Sequence, residues 1–563
     1  MSEDQLAQTL TELAQAGQFV GLSLAVVHQD VLTYAAGFGR TTVQPQGVAV
    51  QADTLFPYRS VSKNLCAALV MRLVAAGLLE LDRPVQQYDP QLRFHNPEYG
   101  ARITLRHLLS HTTGLPMAGR SYGPAGRDAL ARFAHLEIPD YRSLAPPGQF
   151  HLYSNSVFCL AGHLAEQVTG RYFTELMSEW VFDPLQMVHS TYKPHVAMTY
   201  PLALPHRLNR SGQFELQHSL PYNDSGIPSS FCYGTALDLA NLARMYLAGG
   251  RFAGQQILPA ELIAEMQRPH ISRYIDGASH FFTNYYQGYG LGFQLGAYRG
   301  LRVVRHPGGG GGYNIYFDLL PELNQAIIIM LNDGGHPGAV AAFQAIYEHF
   351  AGAHFAAPLF ASPRPITIDD SAQWSCLTGH FVAPDTGRLL EITTSESGLV
   401  MISKGQTYPL RPIGRRHYDF ELVVAEQQMT HRLTVKFAGK DDEPADYLLL
   451  SGDPLVRVRL AVETELKPAR WAVYTGHYQD PGNRRAANGL TVELVEGQLF
   501  VSDGGQRALY QPLDNENFVG PHGLITFIPA GTGWHLLWGL AMRHLPLKQS
   551  RLSPQKSAGQ PDD

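Results

Sequence analysis

Apolar residues recur at positions 65, 66, 69, 70, 73 and 74, the spacing that turns one face of a helix toward a core. The pattern predicts a helix from Ser60 to Ala76, with Gly77 free to adopt the left-handed cap. Thr104–Leu109, Val157–Val168 and Ala236–Leu247 read as helices by the same criterion. Val20–Val27 is β-branched and apolar, and predicts a strand. The polar run His28-Gln29-Asp30 then allows Val31–Tyr34 to fold back on it. Val303–Val304, Tyr313–Leu319 and Gln325–Leu331 read as further strands. Strands at both ends with helices between them predict an α+β fold for the first 357 residues.

The pattern changes after Ala357. Pro358, Pro363 and Pro365 punctuate the segment 357–369, as in a linker. Beyond it, short alternating strands follow: Leu389–Thr393, Leu399–Ile402, Phe420–Val424, Arg432–Phe437, Tyr447–Leu450 and Val456–Val462. A short repeat is visible. Trp374 precedes Thr378-Gly-His-Phe381, Trp471 precedes Thr475-Gly-His-Tyr478, and each unit continues into two apolar strands. The repeat predicts two antiparallel β-barrel-like domains, over 366–465 and 466–550; one larger β domain is the alternative.

Length and composition narrow the functional classes. A chain of 563 residues exceeds what one core usually supports. Hydrophobic residues make up 45% and charged residues 16%, which suits packed domains rather than disorder. A net charge of −6 without a basic run gives no footprint for nucleic acid. The N-terminal residues do not read as a secretion signal, and no apolar run is long enough to span a bilayer. The expected compartment is cytoplasmic, with no membrane association. Cys66, Cys159, Cys232 and Cys376 lack metal-like spacing and are expected to be reduced.

Three short motifs carry the candidate chemistry. Ser60-Val-Ser-Lys63 places an amine one helical turn from a serine hydroxyl, which needs a base before it can attack a carbonyl. The pattern alone is weak, because Ser190-Thr-Tyr-Lys193 and Ser553-Pro-Gln-Lys556 share it. Lys193 precedes Pro194, and Lys556 lies in a polar tail; only Ser60 opens a long amphipathic helix. Tyr153-Ser-Asn155 is the one Tyr-x-Asn in the chain. A phenol near a lysine can serve as a base, and the amide can hold both lysine and substrate. In His306-Pro-Gly-Gly-Gly-Gly-Gly-Tyr313, glycines such as Gly308 and Gly309 let backbone N–H groups approach a carbonyl oxygen. Each motif also has a plain structural reading: a serine cap with a solvated lysine, a core tyrosine, a turn.

Two competing sites are weaker. Gly119-Arg-Ser-Tyr-Gly123 fits a nucleophile elbow around Ser121, but no strand leads into it. His107 and His111 stand four apart, as zinc ligands can, with no third ligand; packing or capping is expected of them. Neither a metal nor another cofactor is expected.

Together the three motifs resemble the serine β-lactamase and penicillin-binding family, in the class C-like branch that includes D-aminopeptidases and esterases. The resemblance covers about 15–350. It also rests on the runs from Thr54 to Lys63, Gly77 to Asp82, Ile103 to Leu115 and Tyr289 to Phe293. It implies a catalytic domain with an antiparallel sheet flanked by helices, and an acyl-enzyme on Ser60. Lys63 and Tyr153 would move the proton, Asn155 and His306 would contact substrate, and the N–H groups of Ser60 and Gly309 would hold the oxyanion. His306 stands where β-lactamases carry Lys-Thr-Gly, which turns the expectation from penicillins toward peptides and esters. Two terminal barrels after the catalytic domain resemble the D-aminopeptidase layout. The stretch Pro529 to Trp534 lacks the acid that would bind a substrate amine. The expected activity is therefore D-aminopeptidase-like, on short peptides or amides, with carboxylesterase as alternative. The expected partner is that small substrate, and self-association stays open. From another class, an inactive sensor or peptide-binding and cell-wall-binding protein is opposed by the presence of all three motifs.

Overall fold

The computed structural model describes residues 1–115, 125–141, 143–149, 151–209, 211–218, 222–276, 285–334, 339–355 and the helix and strand segments between 374 and 546. The chain falls into two compact units. The first comprises Met1–Ile368 with Arg411–Lys436 and Leu449–Asp453; the second comprises Asp369–Leu410, Phe437–Leu448 and Pro454–Asp563. The segment 357–369, Ser121 and Ser553–Lys556 lie outside the described residues.

The first unit is built on eight antiparallel strands: β1 (Gly21–His28), β2 (Val31–Gly39), β3 (Ile271–Asp276), β4 (Tyr285–Tyr289), β5 (Gln294–Tyr298), β6 (Leu301–Gly309), β7 (Asn314–Leu320) and β8 (Gln325–Leu331). Their order across the sheet is β2-β1-β8-β7-β6-β5-β4-β3. β1 and β8 are apolar almost throughout because both faces are covered. Leu22, Leu24 and Val26 lie opposite Leu331, Ile329 and Ile327. That face packs on Leu6 and Leu10 of helix α1 (Glu3–Gln15) and on Phe343, Ile346 and Tyr347 of α5 (Ala339–Phe350). On the opposite side lie α2 (Ser62–Ala75), α3 (Asn155–Thr169) and α4 (Ala236–Leu247), whose Tyr246 ring meets Phe317 of β7.

Several predicted boundaries shift for identifiable reasons. The hairpin of β1 and β2 turns at Gln29 and Asp30, both with positive φ. The helix expected from Ser60 starts at Ser62. Ser60 instead sits in a preceding 3₁₀ turn, Arg59–Val61, where Arg59 takes φ of +53°. α3 begins two residues early, at Asn155, and ends on Gly170 in the left-handed region. β6 runs well past Val304. Gly308 and Gly309 belong to the strand, and only Gly310, Gly311 and Gly312 turn, all with positive φ. Pro307 fits inside the strand because β5 stops pairing with β6 at Arg305, so among the described residues that edge is open from His306 onward.

In the C-terminal part, nine strands between Gly379 and Val458 form one antiparallel sheet, and eight between Gly476 and Pro546 form another, ordered as in the chain. The repeat is visible in space. Trp374 lies in a short helix before strand Gly379–Val382, and Trp471 in a 3₁₀ helix before Gly476–Tyr478. Gly379 then pairs with Ile392 and Gly476 with Val492. The core of the second sheet gathers Trp471, Tyr474, Phe518 and Phe527, with Tyr474 and Phe527 stacked at 4.2 Å. Neither sheet closes on itself among the described residues, so the barrel form expected of them is not seen. Strands Gly523–Ala530 and Gly533–Trp538 pair up to Ala530 and Gly533. The four cysteines are free, three of them buried. No helix among the described residues is long and apolar enough to cross a membrane.

Candidate active site

Ser60 is fixed by contacts with distant segments of the chain on both sides. Phe56–Pro57 pairs with Tyr233–Gly234, and Tyr58 N donates to Cys232 O, which pins the chain just before it. Just after it, α2 is anchored by Asn64 Nδ2 donating to Gly292 O at 2.8 Å, and by Ser62 Oγ accepting from Cys232 N at 3.2 Å.

Lys63 follows one turn later with no solvent exposure. Its Nζ donates to Ser60 Oγ at 3.2 Å, to Asn155 Oδ1 at 2.7 Å and to Ser229 O at 3.0 Å. Burial disfavours the ammonium and lowers its pKa from 10.5 to about 7; nearby Arg59 acts in the same direction. The amine thus stands poised between its two protonation states near neutrality, in contact with a serine hydroxyl. That is the electrostatic condition for moving a proton on and off oxygen.

Tyr153 and Asn155 reach the site from the start of α3. The ring of Tyr153 lies 4.8 Å from Lys63 Nζ, face-on enough for a cation–π contact. Behind it sits His111, whose ring is 4.5 Å away and whose Nδ1 accepts from Ser154 N at 3.1 Å. His111 is therefore a support for the Tyr153-Ser-Asn155 turn. His107 Nδ1 bonds the Thr104 N–H and so caps the short helix Leu105–Leu109. Both histidines act as capping groups.

β6 brings His306, Gly308 and Gly309 to the same place. A side chain at Gly308 would put its Cβ 2.2 Å from Tyr58 O and 3.2 Å from Ser60 N, so only glycine permits the contact. At Gly309 the nearest atom to such a Cβ is 3.5 Å away; its backbone, rather than its lack of a side chain, suits it to a role. His306 is buried, and its Nδ1 donates to Pro307 O at 2.8 Å. Burial and the Lys63 charge push its pKa down to about 3, so the imidazole is neutral, with Nε2 left as a bare acceptor. It lies 6.1 Å from the Tyr153 ring.

The structure therefore brings together Ser60, Lys63, Tyr153, Asn155, His306, Gly308 and Gly309. It leaves out the second serine–lysine motif: Ser190 Oγ donates to Asp238 Oδ2 at 2.8 Å, and Lys193 is exposed. Sequence reasoning missed the Ser229 carbonyl, whose role has no side-chain signature, and underrated His111. Among the described residues one set could hold a metal: Asp89, His135 and His163. Both Nε2 atoms lie 2.7 Å from the same Asp89 oxygen, a hydrogen-bond spacing. None of these residues touches Ser60 or Lys63.

The family model described as Beta-lactamase matches residues 6–350. The chain is 31% identical over 362 residues to penicillin-binding protein 4 of Amycolatopsis lactamdurans, spanning 62% of this chain and 91% of that one. It is 24% identical over 320 residues to the D-alanyl-D-alanine-carboxypeptidase/endopeptidase AmpH of Escherichia coli K12, spanning 55% and 79%. A crystal structure of SurE aligns with a TM-score of 0.63 at 24% identity, over 81% of this chain and 99% of that one, a likeness of fold.

Proposed function

We propose, from the premise that this chain belongs to the beta-lactamase family, that it hydrolyses amide or ester bonds through an acyl-enzyme on Ser60. The observation that carries the proposal is the contact of Ser60 Oγ with a buried lysine whose pKa stands at about 7. In this reading Ser60 attacks the carbonyl, and its proton passes to the Lys63–Tyr153 pair and on to the leaving group. The N–H groups of Ser60 and Gly309 receive the oxyanion; one such donor typically lowers the barrier by about 2.7–4 kcal/mol. Water then releases the acyl group. The open edge of β6 after Arg305 offers backbone groups to an extended substrate.

Short peptides and amides are the proposed substrates, cleaved in the manner of a D-aminopeptidase that frees N-terminal residues; carboxylesterase activity is the second form. Support comes from His306. A neutral imidazole with an acceptor nitrogen cannot anchor the carboxylate of a penicillin as an ammonium does. Intact-mass measurement after fluorophosphonate treatment tests the nucleophile: one adduct is expected, absent in Ser60→Ala. No adduct, or one that survives the substitution, sinks the assignment. A panel of D- and L-amino acid p-nitroanilides, acyl esters and a chromogenic cephalosporin tests the substrate class. Turnover of L-anilides alone would overturn the D-specific reading.

A further inference from the structure

Arg59, the residue before the candidate nucleophile, carries a charge that no described residue answers. Its guanidinium makes no hydrogen bond or ion pair with any described residue, and its Nε is buried without an acceptor. The ionisable groups that bear on it are the phenols of Tyr233 and Tyr313, not carboxylates. Phe231 covers one side, with its ring centroid 5.9 Å from Cζ. A half-buried cation whose Nε is closed off from water without an acceptor favours a ligand that brings the counter-charge.

The position of the guanidinium indicates where that ligand lies. The side chain leaves Ser60 along Gly308, with its Cβ 3.2 Å from where a Gly308 Cβ would be. It ends at the turn after β6, where Nη2 is 3.3 Å from the equivalent point on Gly311 and 4.0 Å from that on Gly310. The cation thus sits beside the glycine turn that follows Gly309. The backbone adds a second argument. Arg59 holds φ of +53°, a region where glycine is the easy choice and a long side chain is strained. The strain persists at a position whose only distinctive attribute is its charge.

We propose that Arg59 is a specificity-determining residue that binds a carboxylate of the substrate. This deepens the proposed function and rests on it: the favoured substrate is a short peptide with a free C-terminal carboxylate, rather than its amide or ester. Arg59 would supply the planar, two-donor contact that neutral His306 cannot.

The test compares paired compounds in wild type, Arg59→Met and Arg59→Lys. The kinetic pair is a dipeptide and its C-terminal amide, built on whichever residue the anilide panel shows to be cleaved. The binding pair is N-acetyl-D-alanine and its amide, measured by calorimetry at low salt. Wild type should favour the carboxylate by about tenfold or more, mainly through KM, as expected for a charge-assisted hydrogen bond. Arg59→Met should bring the ratio close to one, and Arg59→Lys should restore part of it. A ratio that is the same in wild type and Arg59→Met, or near one in wild type, overturns the proposal. Fluorophosphonate labelling of each protein separates the two readings. If wild type is not labelled, the hydrolase assignment fails, and calorimetry alone decides the carboxylate site.

Discussion

Removing the amide of Asn155 tests whether Lys63 is the group whose protonation controls reaction at Ser60. Lys63 Nζ has three acceptors, and Asn155 Oδ1, at 2.7 Å, is the nearest. A hydrogen bond from a charged donor contributes about 1.5–3 kcal/mol, and one pKa unit corresponds to about 1.4 kcal/mol. This acceptor favours the ammonium, so its loss in Asn155→Ala lowers the Lys63 pKa further, from about 7 by roughly one to two units. Asn155→Asp has the opposite sign, because a carboxylate at the same place stabilises the ammonium. The assay is the second-order rate of fluorophosphonate acylation, and kcat/KM on an ester, each measured from about pH 5 to 10. Whichever protonation state reacts, the limb of the profile that belongs to Lys63 moves down in Asn155→Ala and up in Asn155→Asp. A wild-type profile with no inflection between about pH 6 and 8 would refute the reasoning, as would two variants that shift the same way.

Lys63→Met should stabilise the fold while abolishing acylation. The folded-state pKa lies below the unfolded value of 10.5, so the buried amine costs stability in full below about pH 7, and the cost fades as pH rises toward 10.5. The ceiling is about 5 kcal/mol, reduced by the three lost hydrogen bonds, and melting temperatures at pH 6 and pH 10 read the difference. Gly308→Ala should cut acylation by about a hundredfold or more, because the methyl meets Tyr58 O at 2.2 Å and forces β6 away from Ser60; the rate at saturating probe checks this. His111→Ala leaves the Ser154 N–H without its acceptor and the Tyr153 ring without its support, so stability should fall by about 1–3 kcal/mol in urea. In that variant kcat should fall more than KM rises; an unchanged kcat would remove His111 from the positioning role.

What could be read from the sequence followed the range of the interactions involved. α4 was legible because an amphipathic period is a local property, and α2 because its apolar positions recur at helical spacing, although the structure buries it on nearly every side. β1, β7 and β8 were legible because buried strands are apolar along most of their length. β6 was cut short, since His-Pro-Gly reads as a turn unless one knows that β5 releases its edge at Arg305. The start of α2 was misplaced because the left-handed Arg59 is imposed from outside, by the pairing of Phe56–Pro57 with Tyr233–Gly234. The α1–α5 layer was missed altogether, because the apolar face the two helices share exists only once the sheet supplies the third side. For the site, Ser60, Lys63, Tyr153 and Asn155 announced themselves as side chains in motifs. The Ser229 carbonyl could not, because any residue offers one.

The sheet order has a consequence in time. β1 is made early, yet its inner neighbour is β8: Leu22 waits for Leu331, about 300 residues later. At roughly 5–20 residues per second, translation leaves the β1–β2 hairpin with an unpaired, largely apolar edge for on the order of 15–60 seconds. Ser60 and Lys63 emerge in the same interval without Gly308 beside them. For that period the nascent chain is a sticky hairpin with an unfinished nucleophile, and the insertion of β8 seals the hairpin's open edge and completes the sheet that carries Gly308.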